Sequence, residues 1–442
     1  MLYKYFVPRW SLSIIFVPSH TVIHKVNHRF KHMEFLNRVF RGDKVVWVVF
    51  MILLLISVVE VFSAASMLTY GKSDYWWPIR QHSVNLLLGF IVVYGFHLVP
   101  YRFYKAVPFA LVPASIGMLL WVMFKGSDVN DAARWIDLGF ITIQPSEFAK
   151  VGVVMGTAFL LSRTQSDEGA SPDAMKWILW MTGIVCALIA PENLSTAVLL
   201  FGVVFLMMYV GRVPKKQLGK LVLVLGAVGA LFLSVLLFVP SKTLKGISGL
   251  DRLTTWQGRI QRFGDSDAVP AAQFRITDKN FQETHATMAI ASSNIIGRGP
   301  GNSVERDYLP QAYSDFIFAI IIEELGLVGG AFVVLLYIIL LVRAAKIARR
   351  CRGYFPAFLV MGCALMLVAQ AMLNMMVAVG LFPVTGQPLP LISRGGTSTI
   401  INCGYIGMIL SVSYYTEKME RDAQLAAEQT AEADIPEILR EQ

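Results

Sequence analysis

The chain is 442 residues long, 55% hydrophobic and 16% charged, with a mean hydropathy of +0.57 and a formal net charge of +9. Such a balance lies outside globular composition and within that of membrane proteins, and it leaves no large soluble domain over. Placed in short loops between apolar runs, the positive charge argues for membrane topology and contact with anionic lipid, and against nucleic-acid binding.

Residues 1–32 set His20, His24, His28 and His32 at a four-residue interval, which on a helix lines one face as a metal stripe would. Pro8 and Pro18 interrupt the segment and no carboxylate or cysteine joins the histidines, so the spacing reads as chance. Met33, ahead of EFLNRVFRGDK, looks like an alternative start, and the leader lacks a clean signal-peptide pattern.

Crossing a hydrocarbon core of roughly 30 Å takes about 20 helical residues. Ten apolar runs approach that length, at about 45–68, 83–99, 106–124, 146–162, 177–190, 194–211, 221–239, 315–342, 356–379 and 395–413. Lipid offers the backbone no hydrogen bonds, so each run is predicted as a helix. The expected fold is all-α, a polytopic integral membrane protein with about ten transmembrane helices.

Lys and Arg in the short loops set the orientation. Thirteen fall on one side, in the loops holding Arg102 and Lys105, Arg163 and Lys176, Arg212 to Lys220, and Arg343 to Arg352. Five fall on the other: Lys72, Arg80, Lys125, Arg134 and Arg394. The first side is expected to be cytoplasmic, together with both termini. This divides the chain into a cytoplasmic segment 1–44, a ten-helix domain 45–415 and a cytoplasmic tail 416–442. A large extracytoplasmic loop, 240–314, joins the seventh and eighth helices.

Cys186, Cys351, Cys363 and Cys403 show no CxxC spacing and carry no redox signal. Glu60, inside the first span, is expected to face the bundle interior and pair there, with substrate contact as the alternative. Tyr75, Trp76 and Trp77 read as an interfacial aromatic anchor.

Polar groups then gather at the outer ends of the spans. Arg134 and Gln144 precede the fourth helix, which Pro145 starts and in which Glu147 and Lys150 share a face at i, i+3. These two form an intrahelical ion pair, a cavity-facing pair for phosphate and hydroxyls, or both. Glu192 and Asn193 sit in a tight turn and either cap the sixth helix or face the same cavity. Within 240–314, a length that implies function, DRLTTWQGRIQRF at 251–263 reads as an amphipathic helix lying on the membrane or, equally, as an ordinary solvated helix. Its end, GRGPGNSVERDYLPQAYSDF, brings Arg298, Asn302 and Ser303 to Asp315, a carboxylate at the start of the eighth span. The run GLFPVTGQPLPLISRGGTS at 380–398 is punctuated by Gly and Pro, which implies a re-entrant segment lining a cavity. With Arg394 it suits an anionic head group, through Thr385, Gln387, Ser393, Gly395, Gly396, Thr397 and Ser398. A site confined to one membrane face fits an amphiphile whose tail stays in lipid. After Tyr415 the chain reads as a solvated tail.

Four blocks, QPSEFAK, ENLSTAVLL, the glycine-rich run through Asp315 to EELGLVG, and GLFPVTGQPLPLISRGGTS, resemble the SEDS family of FtsW, RodA and SpoVE over roughly residues 40–415. The Gly301-Asn302-Ser303 triplet is more similar to the division branch than to the elongation branch. The resemblance implies a peptidoglycan glycosyltransferase that polymerises lipid II at the outer face of the bacterial cytoplasmic membrane, at the division septum. It implies a class B penicillin-binding protein as partner, with other divisome membrane proteins. The family's essential aspartate falls on Asp315, and its Glu and Lys of the fourth span on Glu147 and Lys150. Two positions depart from the family pattern: Asn193, where Asp is usual, and Arg394, where an aromatic residue is usual. The sequence holds no dedicated metal cluster, and charge for a diphosphate comes from Lys150 with Arg134 or Arg394, or from a divalent cation, Mg or Mn. The alternatives are a lipid II flippase, an elongation-type polymerase, and a scaffold that recruits a transpeptidase.

Overall fold

The computed structural model describes residues 40–64, 76–125, 127–129, 132–137, 142–167, 169–239, 254, 256–258, 276–277, 280–309 and 312–433. The histidine stripe, Tyr75 and most of the 251–263 run lie outside the described residues, although Thr254 and Trp256 to Gly258 are helical.

Each of the ten apolar runs is a helix: α1 (Lys44–Ala64), α2 (Trp77–Leu98), α3 (Val107–Lys125), α4 (Pro145–Thr164), α5 (Pro172–Ile189), α6 (Leu194–Val210), α7 (Lys215–Phe238), α9 (Ile317–Arg350), α10 (Tyr354–Ala378) and α11 (Gly396–Ala433). An additional helix, α8 (Phe281–Ser292), lies between α7 and α9. By length and composition seven are apolar enough to cross a membrane, and α6 is a shorter apolar helix of 17 residues. The less apolar α4 and α11 are enclosed by protein: Val153, Val154 and Ala158 of α4 and Cys403, Tyr405 and Ile409 of α11 are fully buried. A helix solvated by other helices needs less hydropathy than one solvated by lipid.

Helix α10 is the hub, packing against α9, α4, α11 and α6, while α2 lies along α11 and α1 along α9. At the end of the bundle where α9 finishes, Arg343 clamps Asp43 with Nη2 to Oδ2 at 2.6 Å and Nε to Oδ1 at 3.1 Å. Asp43 Oδ1 also accepts from the Val45 and Val46 amides and so caps α1.

Two features differ from a plain helical reading. Between α3 and α4 the polar stretch folds into a small antiparallel sheet, β1 (Ser127–Val129), β2 (Ala132–Asp137) and β3 (Thr142–Ile143), with Ile136 opposite Ile143. Helix α9, expected as one span, breaks at Gly326, whose φ of 73° is left-handed. The orphaned groups at the break are taken by the segment before it. Leu327 N donates to Asn294 O, Val328 N to Ile295 O, Arg298 N to Glu323 O and Gly299 N to Glu324 O. Backbone meets backbone there, since a Cβ on Gly326 would lie 2.3 Å from Ile295 O and one on Gly297 2.3 Å from Glu324 O. Only glycine permits that approach at either position.

Residues 381–395 connect α10 to α11 without helix, yet Leu389, Leu391, Ile392 and Ser393 are at most 1% exposed. This segment dips into the bundle, where Tyr337 of α9 donates to Pro390 O and Ser57 of α1 to Ile392 O. Irregular backbone at this depth is tolerated because protein supplies the missing hydrogen bonds. Beyond Tyr415, α11 continues as helix to Ala433, with Thr416 still buried and most residues from Arg421 to Thr430 exposed.

Candidate active site

Asp315 is half-buried in the turn before the short first half of α9, Ile317 to Leu325, of which every residue but the half-buried Leu325 is buried. The chain positions it by its carbonyls. Tyr313 O accepts from Arg394 N at 2.9 Å, Ser314 O from Ser393 Oγ at 2.6 Å, and Asp315 O from Asn374 Nδ2 at 2.8 Å. Three consecutive acceptors at the helix start, none used by the helix itself, thus find donors on α10 and on the dipping segment. The carboxylate receives Ser314 Oγ on Oδ1 at 3.0 Å. Its other face looks onto Gly386, where φ is 69° and a Cβ would lie 3.7 Å from Oδ2.

The same segment carries Arg394. Its guanidinium lies 5.4 Å from the Tyr313 ring and 5.6 Å from the Trp77 ring, and donates to Gln81 Oε1. Burial lowers its pKa and Tyr313 offsets part of that. Gly395 and Gly396 follow at the start of α11, with Thr397 Oγ1 buried and lacking a hydrogen-bond partner among the described residues. Ser398 Oγ accepts from Asn402.

On α4, Glu147 and Lys150 form the intrahelical pair at 2.8 Å, and Lys150 Nζ also donates to Gln370 Oε1 at 3.2 Å. Lys150 is fully buried, and Glu147 Oε2 has no hydrogen-bond partner among the described residues. Gln144 is the N-cap residue of α4 but makes no side-chain cap bond. Arg134 lies on β2, with its side chain outside the described set. Asn193 caps α6 through Thr196 N at 3.1 Å. Beside it, Ser195 Oγ donates to Thr385 O and Gln387 Nε2 to Thr196 Oγ1, fastening the dipping segment to α6.

Arg298, Asn302 and Ser303 belong to a different construction. Arg298 pairs with Glu323 at 3.2 Å, and Ser303 Oγ donates to the same carboxylate. Asn302, exposed, donates to Arg298 O. Glu323 and Glu324, fully buried in the first half of α9, collect the amides of Gly301, Ser303, Val304 and Glu305 and so hold the glycine-rich loop. Ser63 of α1 and Arg306 complete that clasp at Glu324. Eight or nine helical residues, roughly 12 Å at 1.5 Å each, separate it from Asp315. Glu60 is buried with neither oxygen hydrogen-bonded among the described residues.

A cavity of about 760 Å³ opens between α6, α7, α10 and residues 382–385. Its walls are apolar, including Leu199, Phe232, Leu373 and Met376, and its polar end holds Glu192, Asn193, Ser195 and Thr385. Among the described residues no group of three or more His, Cys, Asp or Glu is placed to hold a metal ion.

The Glu323/Glu324 clasp and the amides Gln370 and Asn374 escape a reading of the sequence alone. Their signal is polar side chains within apolar spans, which in a membrane face the bundle and bond there.

The model of the cell cycle protein family of FtsW, RodA and SpoVE matches residues 43–418. The chain belongs to this family. Among its relatives is a "Probable peptidoglycan glycosyltransferase FtsW" of Halomonas elongata, 30% identical over 389 residues that cover 86% of this chain and 92% of that protein. The Bacillus subtilis protein of the same name is 30% identical over 374 residues, 81% of this chain and 87% of that one. Among solved structures, a chain from a peptidoglycan synthase complex that coordinates polymerization and crosslinking matches with a TM-score of 0.63 at 26% identity, over 85% of this chain and 98% of that chain. RodA of Thermus thermophilus shares the fold, with a TM-score of 0.57 at 23% identity, over 84% and 96%. The family member described here is a multi-pass membrane protein.

Proposed function

We propose that this protein is the peptidoglycan glycosyltransferase of septal wall synthesis, polymerising lipid II at the outer face of the cytoplasmic membrane. The observation that carries the proposal is the Tyr313–Asp315 turn, which presents a half-buried carboxylate beside Gly386 and next to the cationic start of α11. In this reading Asp315 takes the proton from the GlcNAc 4-hydroxyl of one lipid II. The resulting oxygen attacks the MurNAc anomeric carbon of the growing chain, and undecaprenyl diphosphate leaves with inversion. A diphosphate leaving group is already a weak base, so it needs charge stabilisation more than a proton. Arg394 and the free amides at the start of α11 supply that charge, since a helix N-terminus favours anions. Lys150, already paired with Glu147, acts by holding α4 and α10 together. A divalent cation on the diphosphate would supplement Arg394. The apolar cavity with its polar end suits a polyprenyl tail below a sugar head group.

The synthase complex that couples polymerization to crosslinking supports pairing with a transpeptidase, here taken as a class B penicillin-binding protein; other divisome membrane proteins and a place at the septum belong to the same proposal. The basic loops favour an orientation with both termini cytoplasmic. Polymerisation of lipid II by purified protein, alone and with its transpeptidase, tests the whole reading. Asp315→Asn is expected to abolish glycan while keeping fold and partner binding; wild-type polymerisation by that variant would refute the role of Asp315. Transbilayer flux of labelled lipid II without polymer would mark a flippase instead.

A further inference from the structure

The polar centre of α10 joins residues that the sequence keeps far apart. Asn374 donates both hydrogens of its amide, one to Asp315 O and one to Gln387 O, each at 2.8 Å. One turn earlier, Gln370 accepts from Lys150 at 3.2 Å and donates to Pro388 O at 3.2 Å. Both side chains are at most 1% exposed. Neither touches the open face of the site. Their partners are the carbonyl of the proposed base, two carbonyls of the segment facing that base, and the buried cation of α4.

We infer that Asn374, braced by Gln370, is a positioning residue for Asp315, setting the distance between its carboxylate and the Gly386–Gln387 backbone. The inference rests on the assignment of Asp315 as base. Its physical basis is that Asp315 O lies outside the hydrogen-bond ladder of α9, which begins with Phe316 O accepting from Ala319 N at 2.9 Å. A donor from outside the helix restrains rotation about the Asp315 backbone and with it the pose of the carboxylate. Asn374 supplies that donor and, through its second hydrogen, ties the opposite wall to the same atom group.

The test is lipid II polymerisation by full-length variants in lipid nanodiscs with the transpeptidase partner, alongside thermal unfolding. Asn374→Ala is expected to lower kcat by about 10- to 100-fold, as a misplacement near 1 Å does, with KM within about threefold. Gln370→Leu is expected to have a smaller effect in the same direction. Met375→Ala removes a buried side chain of α10 that bonds to none of these groups, and it serves as the packing control. It should lower the unfolding temperature at least as much while keeping kcat near wild type. The inference is overturned if Asn374→Ala stays within twofold of wild type, or if Met375→Ala loses as much kcat. Should Asn374→Ala fail to fold, Gln370→Leu decides by the same criterion. Asp315→Asn in the same assay separates the two claims. If it is active, the base assignment falls; if it is dead while Asn374→Ala is active, only the positioning role falls.

Discussion

Helices α7 and α10 are both apolar and both long enough to cross a membrane, yet 67% of the α10 span is buried within the protein and only 6% of the α7 span. Along α7, Leu223, Leu231 and Phe238 are 75%, 68% and 83% exposed, whereas Cys363, Leu367 and Ala371 of α10 are fully enclosed. The more apolar helix is the one that holds less of the fold together. Hydropathy in a membrane protein reports the solvent of a span, lipid or protein. How much depends on a span is told by its polar exceptions, and α10 has Gln370 and Asn374 where α7 has little but aliphatic surface.

The contrast is sharpest where protein replaces lipid around a charge. Lys150→Met would leave the buried Glu147 carboxyl beside α10 without its cation, and a loss of about 3–5 kcal/mol is expected. Pairing it with Glu147→Gln should restore most of that, measured by thermal unfolding in nanodiscs; failure of the double variant to recover would mean the pair does more than neutralise itself. Next in size, Leu367→Ala on α10 should cost about 2–4 kcal/mol, because close-packed neighbours cannot close the void. Gly326→Ala forces a Cβ into Ile295 O at a left-handed φ, and about 1–3 kcal/mol is expected. That variant should also raise hydrogen exchange in the 294–305 loop, which α9 would no longer satisfy. Smallest of all, Leu223→Ala on α7 should stay within about 0.5 kcal/mol. A large loss there would show that α7 is seated against protein and would remove the distinction between the two helices.

How much of this was legible follows from the same physics. The ten spans were readable because the bilayer imposes a length and forbids unpaired backbone, so apolar runs have a single solution. Asp315 stood out as a lone acid where a polar loop enters an apolar helix. The break at Gly326 was hidden, since GLVGG reads as ordinary helix until another backbone crosses it. Asn374 and Gln370 were invisible for the opposite reason: two amides among alanines, leucines and methionines barely change a hydropathy window, and their partners lie in distant sequence. The strands β1 to β3 lie in a polar stretch with no alternation to reveal them. Arg394 was readable as a cation for an anionic head group from its place in a Gly- and Pro-punctuated segment, but its seat between Trp77 and Tyr313 depended on packing that no spacing encodes.

The turn at 313–315 has one more consequence. Its three carbonyls are capped by donors from α10, from Ser393 and from the residue that leads into α11, all of which leave the ribosome after the turn itself. A nascent chain therefore lacks these three donors until the last two spans have inserted and closed around the turn. With Asp315 as the proposed base, competence would arrive only with completed biogenesis, and a truncated or half-inserted product is expected to lay down no wall.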